Sequence, residues 1–310
     1  MTPENEALYR SWQRKRKGEG FGELPRNHQA LTSLERFLGG RLLTAVTRDE
    51  VLLWSGEGLA GMAESSRASY WSAARAFYNW ASSDEEAIIE RSPMRGIAQP
   101  KVSVVPVPIP DEGDVRRLIA ATDADRSPIG RRDAALIRVM ADTGGPRASE
   151  AAGMMIAGRP GAGRLGVDLN HDTIRVVGKG GKERTWPISS RTASAVERWL
   201  RVRDSLPAGQ GSPRLWTTFR VSRSSARPLT RDGVGAILER RCDAAGVPRI
   251  HPHQVRHVSY HNFLKRGGRL NDAMLLYGWE DDEMPRRYAA ALALERSIEA
   301  GAALAVGDMW

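Results

Sequence analysis

Tyr288 follows two arginines in GWEDDEMPRRYAAAL (278–292), and HPHQVRH (251–257) spaces His253, Arg256 and His257 three and one positions apart. A tyrosine can pack in a core or act as an oxygen nucleophile, and a phenol of pKa about 10 needs help to react at neutral pH. In a helix, His253, Arg256 and His257 share one face. A guanidinium fork beside an imidazole can hold phosphate oxygens while a proton moves nearby. Two other readings stand beside this one. His253 and His257 at i, i+4, with His251 close, could bind a metal, or the histidines could simply pack or face solvent. Against metal, the glutamate of an HEXXH pattern is missing and the single cysteine, Cys242, has no partner for a ligand pair.

Two further segments carry candidate groups. DTGGPRASEAAGM (142–154) sets Arg147 just past a glycine turn and Glu150 in the first turn of a predicted helix. There the carboxylate can orient the arginine or serve only as a surface cap. VVGKGGKERTWPI (176–188) superficially suggests a phosphate loop. Val176 stands where that motif needs its first glycine and Glu183 where it needs Ser or Thr, so a phosphate loop is excluded. What remains is a tight turn presenting Lys179, whose ammonium can reach a leaving oxygen or meet solvent.

These groups need elements to hold them. TIRVV and ERTWPI read as two strands about the GKGGK turn. PDEGDVRRLIAAT and IGRRDAALIRVMADTGG read as helices before them, the second stopping at Gly144 and Gly145. Helices also follow in SSRTASAVERWLRVR, LTRDGVGAILERRCDAAG, HQVRHVSYHNFLKRGG and LNDAMLLYGW. Upstream, HQALTSLERFLGG, RDEVLLWSGEGLAGM and SSRASYWSAARAFYNWASS predict a small helical bundle. In the last, serines cap the start, Tyr70, Ala74, Phe77 and Ala81 line one face, and Arg67, Trp71 and Arg75 share another that could lie on phosphates. Five prolines in RSPMRGIAQPKVSVVPVPIPDEGD (91–114) mark a linker between two domains.

Composition bounds the class. The chain of 310 residues is 41% hydrophobic and 27% charged, with no apolar run long enough to cross a bilayer and no secretory signal. One cysteine and no signal fit a reducing cytoplasm. A net charge of +9 attracts polyanions, nucleic acid first among them. The cluster Arg14, Lys15, Arg16 and Lys17 reads as a solvated basic tail.

In order, Arg147, Lys179, His253-x-x-Arg256-His257 and Gly278-Trp279, followed nine residues later by Tyr288, resemble the active-site set of the tyrosine recombinases, the phage-integrase family. The resemblance implies a mainly α fold with a small β-sheet: a helical core-binding domain and an α+β catalytic domain. Its expected divisions are a basic N-terminal segment (1–24), the core-binding domain (25–99), a Pro-rich linker (100–110), the catalytic domain (111–290) and a C-terminal helix (291–310) that could dock on a neighbouring protomer. It implies that Tyr288 attacks a DNA phosphate to form a 3′-phosphotyrosyl link. Arg147 and Arg256 would neutralise the phosphate, Lys179 would protonate the leaving 5′ oxygen and His253 would assist proton movement. Trp279 would position the nucleophile, with Glu150 and His257 in support.

Neither a metal nor another cofactor is implied. The implied partner is double-stranded DNA, clamped between the domains with Arg67 and Arg75 among its contacts. A tetramer on paired sites, a directionality factor and a place with the nucleoid in the cytoplasm follow by the same likeness. Integration or excision of a mobile element is the leading expectation. A chromosome-dimer resolvase of the same family and a non-catalytic DNA-binding protein are the alternatives. The chain departs from the family in placing both Gly145 and Pro146 between Gly144 and Arg147, and in a long stretch before Lys179 that leaves Lys182 as a second candidate.

Overall fold

A computed structural model describes residues 1–22, 24–103, 109–144, 146–178, 181–207, 209–217, 228–279 and positions 297, 298, 301, 302 and 304. The chain divides into two compact units, 1–106 and 107–310. Lys179, Tyr288, the middle of the Pro-rich segment and most of 291–310 lie outside the described residues.

The first unit is helical: α1 (Pro3–Gly18), α2 (Pro25–Phe37), α3 (Arg48–Leu53) and α4 (Glu64–Ala81). The cluster Arg14, Lys15, Arg16 and Lys17, read from sequence as a solvated basic tail, instead lies within α1. Thr2 caps its start, Glu4 and Glu6 lie in the first turn and Lys15, Arg16 and Lys17 in the last, each charge matching the adjacent end of the helix dipole. Only Asn5, Tyr9 and Trp12 of this helix are buried, so its apolar stripe is too thin to stand out among so many charges. Trp12 meets the edge of Phe77 from α4 at 5.5 Å between ring centres, in a core that also holds Leu31, Leu34, Trp54 and Tyr78. The start of α4 also differs from expectation. Ala63 occupies the cap position with no side-chain bond, and the serines fall inside the first turn. Trp71 is buried rather than exposed beside Arg67 and Arg75, because it faces the same core.

The second unit contains α5 (Glu112–Ala124), α6 (Pro128–Thr143), α7 (Ala148–Ala152), β1 (Gly166–Asp168), β2 (Thr173–Val177), β3 (Glu183–Pro187), α8 (Ser190–Ser205), α9 (Arg231–Ala245), α10 (Pro252–Lys265) and α11 (Leu270–Tyr277). The strands form an antiparallel sheet in the order β1-β2-β3, with Ile174 opposite Trp186 and Val176 opposite Arg184. Asp111, Ser127, Ser189 and Thr230 cap α5, α6, α8 and α9 through their side-chain oxygens. Helix α6 packs on α5, α8 and α10, and its residues Leu136, Ile137 and Val139 join Ile174, Trp186, Trp199 and Leu238 in one core. Among the described residues, the strand pair and helices α5, α6 and α8 to α11 match the sequence reading. Strand β1, three residues long, was not expected. Among the described residues no helix is long and apolar enough to cross a membrane.

Candidate active site

Helix α6 ends at Gly144, whose φ of +51° turns the chain toward α7. Arg147 is the N-cap of α7, and Glu150 reaches back to it twice. One carboxylate oxygen accepts the Arg147 amide at 2.8 Å and the other accepts its guanidinium at 3.0 Å. Glu150 therefore both closes the capping box and orients the arginine. The side chain of Arg147 remains partly exposed.

Helix α10 supplies the next groups. Pro252 in its first turn and Gln254, which accepts the His251 amide at 2.9 Å, define its start. His253 and His257 meet edge to face at 4.3 Å between ring centres. Arg256, one turn along, is buried and donates to the Tyr277 carbonyl, while its guanidinium lies 5.0 Å from the centre of the Tyr277 ring and 5.3 Å from that of Trp279. Tyr277 and Trp279 are stacked at 5.0 Å, and Tyr260 stands edge-on to both. This aromatic wall fixes the plane of the Arg256 guanidinium.

A third guanidinium completes the cluster, and the sequence reading missed it. Arg184 on β3 donates to Glu150 at 2.5 Å and to the Tyr277 carbonyl at 2.9 Å. Its strand alternates exposed and buried positions, with Arg184 and Trp186 facing inward. A charge at an inward position of a short amphipathic strand was the available signal.

Arg147 and Arg184 thus share the carboxylate of Glu150, whose charge Arg256 feels from further off. Burial, followed by repulsion from Arg147 and Arg184, lowers the pKa of Arg256 to about 10. Burial likewise lowers that of Arg184, with Arg147 adding to the effect against the pull of Glu150. Desolvation and then Arg256 and Arg147 hold His253 below its ordinary value, while burial and then His253 and Arg256 bring His257 to about 4. At neutral pH both imidazoles are therefore neutral and can accept protons. An open cavity of about 810 Å³ exposes Arg147, His253, Arg256 and Trp279, and continues past Arg231 and Arg249. Such a basin, positive and lined with proton acceptors, can bind a phosphate oxyanion and assist attack on it.

Of the groups singled out from sequence, the structure brings together Arg147, Glu150, His253, Arg256, His257 and Trp279. Arg67 and Arg75 belong to the first unit. Arg75 lies over the Trp71 ring at 5.1 Å, and the Arg67 Nε is buried with no hydrogen-bond partner among the described residues. Among the described residues no cluster of His, Cys, Asp or Glu is placed to hold a metal.

Comparison with known proteins identifies the family. The profile of the Phage integrase family matches residues 111–295. Tyrosine recombinase XerD of Neisseria meningitidis serogroup B is 30% identical over 229 residues, covering 74% of this chain and 72% of that protein. Tyrosine recombinase XerC of Corynebacterium efficiens is 26% identical over 237 residues, 76% of this chain and 71% of that one. Two solved structures share the fold. The XerH site-specific recombinase bound to its difH substrate in a pre-cleavage complex has a TM-score of 0.68 at 18% identity, over 96% of this chain and 85% of that one. A lambda integrase dimer bound to a core site has a TM-score of 0.64 at 15% identity, over 91% and 76%. The chain belongs to the phage integrase family and is a tyrosine-type site-specific DNA recombinase.

Proposed function

We propose that the basin between α7, α9 and α10 holds one scissile phosphate of duplex DNA and that Tyr288 cuts the strand there. The observation that carries this reading is the imbalance of charge: Arg147 and Arg184 pair with the one carboxylate of Glu150, Arg256 lies near enough to be repelled by both, and Arg147 and Arg256 face an open cavity. A phosphodiester supplies the missing negative charge, and more of it as the transition state forms.

In the reaction, the Tyr288 oxygen bonds to phosphorus as the bond from phosphorus to the 5′ oxygen breaks. The phenolic proton passes to His253, held neutral by its surroundings. Lys179 donates a proton to the departing 5′ oxygen, and Arg147 and Arg256 stabilise the non-bridging oxygens. His257 keeps His253 in place through their ring contact. Trp279 packs beside Arg256 and orients the segment that leads to Tyr288. The phosphotyrosyl bond conserves the energy of the broken link, so a 5′ hydroxyl of another strand reverses the step without ATP. Exchange between two duplexes needs one nucleophile per strand, which makes a tetramer of this chain the working assembly. Arg67 and Arg75 of the first unit add phosphate contacts, and such contacts make the affinity fall with salt.

The likeness to XerC and XerD supports chromosome-dimer resolution as the biological role. Integration or excision of a mobile element, with a directionality factor, is the second reading; the match to the Phage integrase family profile supports it. The experiment starts from duplexes selected out of a randomised pool by binding to the protein, then nicked at successive positions and incubated with it in EDTA. A covalent protein–DNA adduct that disappears in Tyr288→Phe is the expected result. No adduct at any nick would leave the chain a DNA-binding protein only, and an adduct persisting in Tyr288→Phe would name another nucleophile.

A further inference from the structure

We propose that Arg184 is a positioning residue for the whole active site, setting both phosphate-binding arginines without touching DNA; this rests on the reading above. Its guanidinium joins two otherwise separate halves. On one side it donates to the Glu150 oxygen that also receives the Arg147 guanidinium. On the other it donates to the Tyr277 carbonyl that also receives Arg256. The sequence Arg147, Glu150, Arg184, Tyr277 carbonyl, Arg256 is one continuous hydrogen-bonded chain across α7, β3, the end of α11 and α10.

Two glycines also close on the same group. A Cβ at Gly178 would lie 2.7 Å from one terminal nitrogen of Arg184, and a Cβ at Gly278 would lie 2.7 Å from the other. Gly178 directly precedes Lys179, and Gly278 directly precedes Trp279. Both glycines let the main chain close on the guanidinium. One buried side chain therefore contacts the supports of Arg147 and Arg256 and the residues preceding Lys179 and Trp279.

Chemistry explains why arginine stands here. A planar fork with donors pointing two ways can hold the carboxylate and the carbonyl together, whereas a lysine is a point charge that serves one or the other. Stability alone does not call for it. Removing one partner of a buried pair is costly when it leaves the other charge uncompensated, but here an apolar chain can pack over the Trp186 ring, where Arg184 lies at 5.1 Å, and both of its partners keep another arginine. Without Arg184, Glu150 keeps Arg147 and the Tyr277 carbonyl keeps Arg256, so no buried group is orphaned. What is lost is the fixed relation between the two arginines.

The test uses full-length protein and the nicked duplexes selected above. Arg184→Met is expected to melt within a few degrees of wild type and bind the duplex with similar affinity. It should form the Tyr288 adduct slower on the order of a hundredfold, the loss typical of small misplacements of catalytic groups. A second substrate carries a methylphosphonate at the scissile position, removing the charge that the two arginines must jointly hold. On it the gap between Arg184→Met and wild type should shrink markedly, which a general loss of stability would not produce. Arg184→Lys, retaining charge but not the fork, should show the same pattern. Wild-type rates in Arg184→Met, or a defect undiminished on the methylphosphonate, would overturn the proposal. Failure of both variants to fold would make Arg184 a stability residue and overturn it equally. If the wild-type protein itself makes no Tyr288 adduct, the functional reading fails rather than this inference.

Discussion

Gly144 lies so close to Ser259 that a Cβ at position 144 would sit 2.0 Å from the serine hydroxyl oxygen and 2.1 Å from its Cβ. The turn that aims Arg147 is thus pressed directly onto α10, the helix that carries Arg256. The Tyr277 hydroxyl, 3.0 Å from the same serine oxygen, closes the contact from α11.

Gly144→Ala should therefore destabilise the protein and misplace Arg147 together. Leaving a non-glycine residue in the left-handed region costs roughly 1–2 kcal/mol. Forcing extra atoms into a packed contact typically costs about 1–3 more. A lower urea midpoint with an unchanged slope, and loss of DNA cleavage in the fraction still folded, are expected. A midpoint equal to wild type would mean that the turn relaxes at no cost.

Much of the positioning frame was legible from residue patterns, and the failures have physical causes. The Gly144 stop, the hairpin before and after Lys179 and the one-faced placement of His253, Arg256 and His257 follow from glycine conformation, strand alternation and helical spacing, all local properties. The strand alternation marks Arg184 as an inward charge, but its role was not legible because its partners, Glu150 and the Tyr277 carbonyl, are 34 and 93 positions away. Its meaning exists only once β3, α7 and α11 converge. Helix α1 was missed for the opposite reason: its charges conceal the narrow stripe that Asn5, Tyr9 and Trp12 bury. Trp71 was placed on a basic face by its spacing from Arg67 and Arg75, but the core of the first unit claims the indole.

Asp133 on α6 should be a major stability residue of the second unit. Its fully buried carboxylate receives Arg132 through two bonds at 2.9 and 2.7 Å, and Arg240 and Arg241 of α9 at 2.6 and 2.8 Å. Asp133→Asn removes the charge that three guanidiniums share, leaving Asp125 as a partner of Arg241 only. Breaking a buried pair in this way costs roughly 3–5 kcal/mol. Calorimetry should show the melting temperature of this unit falling on the order of 10 °C. Cleavage per folded molecule should change little, since none of these groups lines the active-site cavity.

The histidines of α10 should make stability depend on pH. His257 titrates at about 4 in the folded chain against 6.5 ordinarily, because burial opposes its charge and His253 and Arg256 repel it. Between those values the unfolded chain binds a proton that the folded chain does not. The His257 contribution is therefore complete above pH about 6.5 and is lost progressively as the pH falls toward about 4, by at most ~1.4 kcal/mol per pH unit. His253, shifted the same way, adds to the slope just below its ordinary value. Denaturant midpoints measured across this range should fall less steeply in His257→Gln than in wild type. Equal slopes would mean that His257 is charged in the folded protein.

Lys179 and Lys182 can be separated by the leaving group. Expulsion of a 5′ oxygen needs a proton, and a positioned general acid contributes on the order of 10²–10⁴-fold. A sulfur at the same bridging position leaves as a stable thiolate and needs none. Lys179→Ala should therefore cleave an ordinary duplex hundreds of times more slowly, within that range, yet cleave the 5′-bridging phosphorothiolate at nearly the wild-type rate. Lys182, exposed at the strand end beside Glu183, should show neither effect when changed to alanine. The reverse pattern would move the acid to Lys182, and rescue of neither variant by sulfur would place the proton donor outside this hairpin.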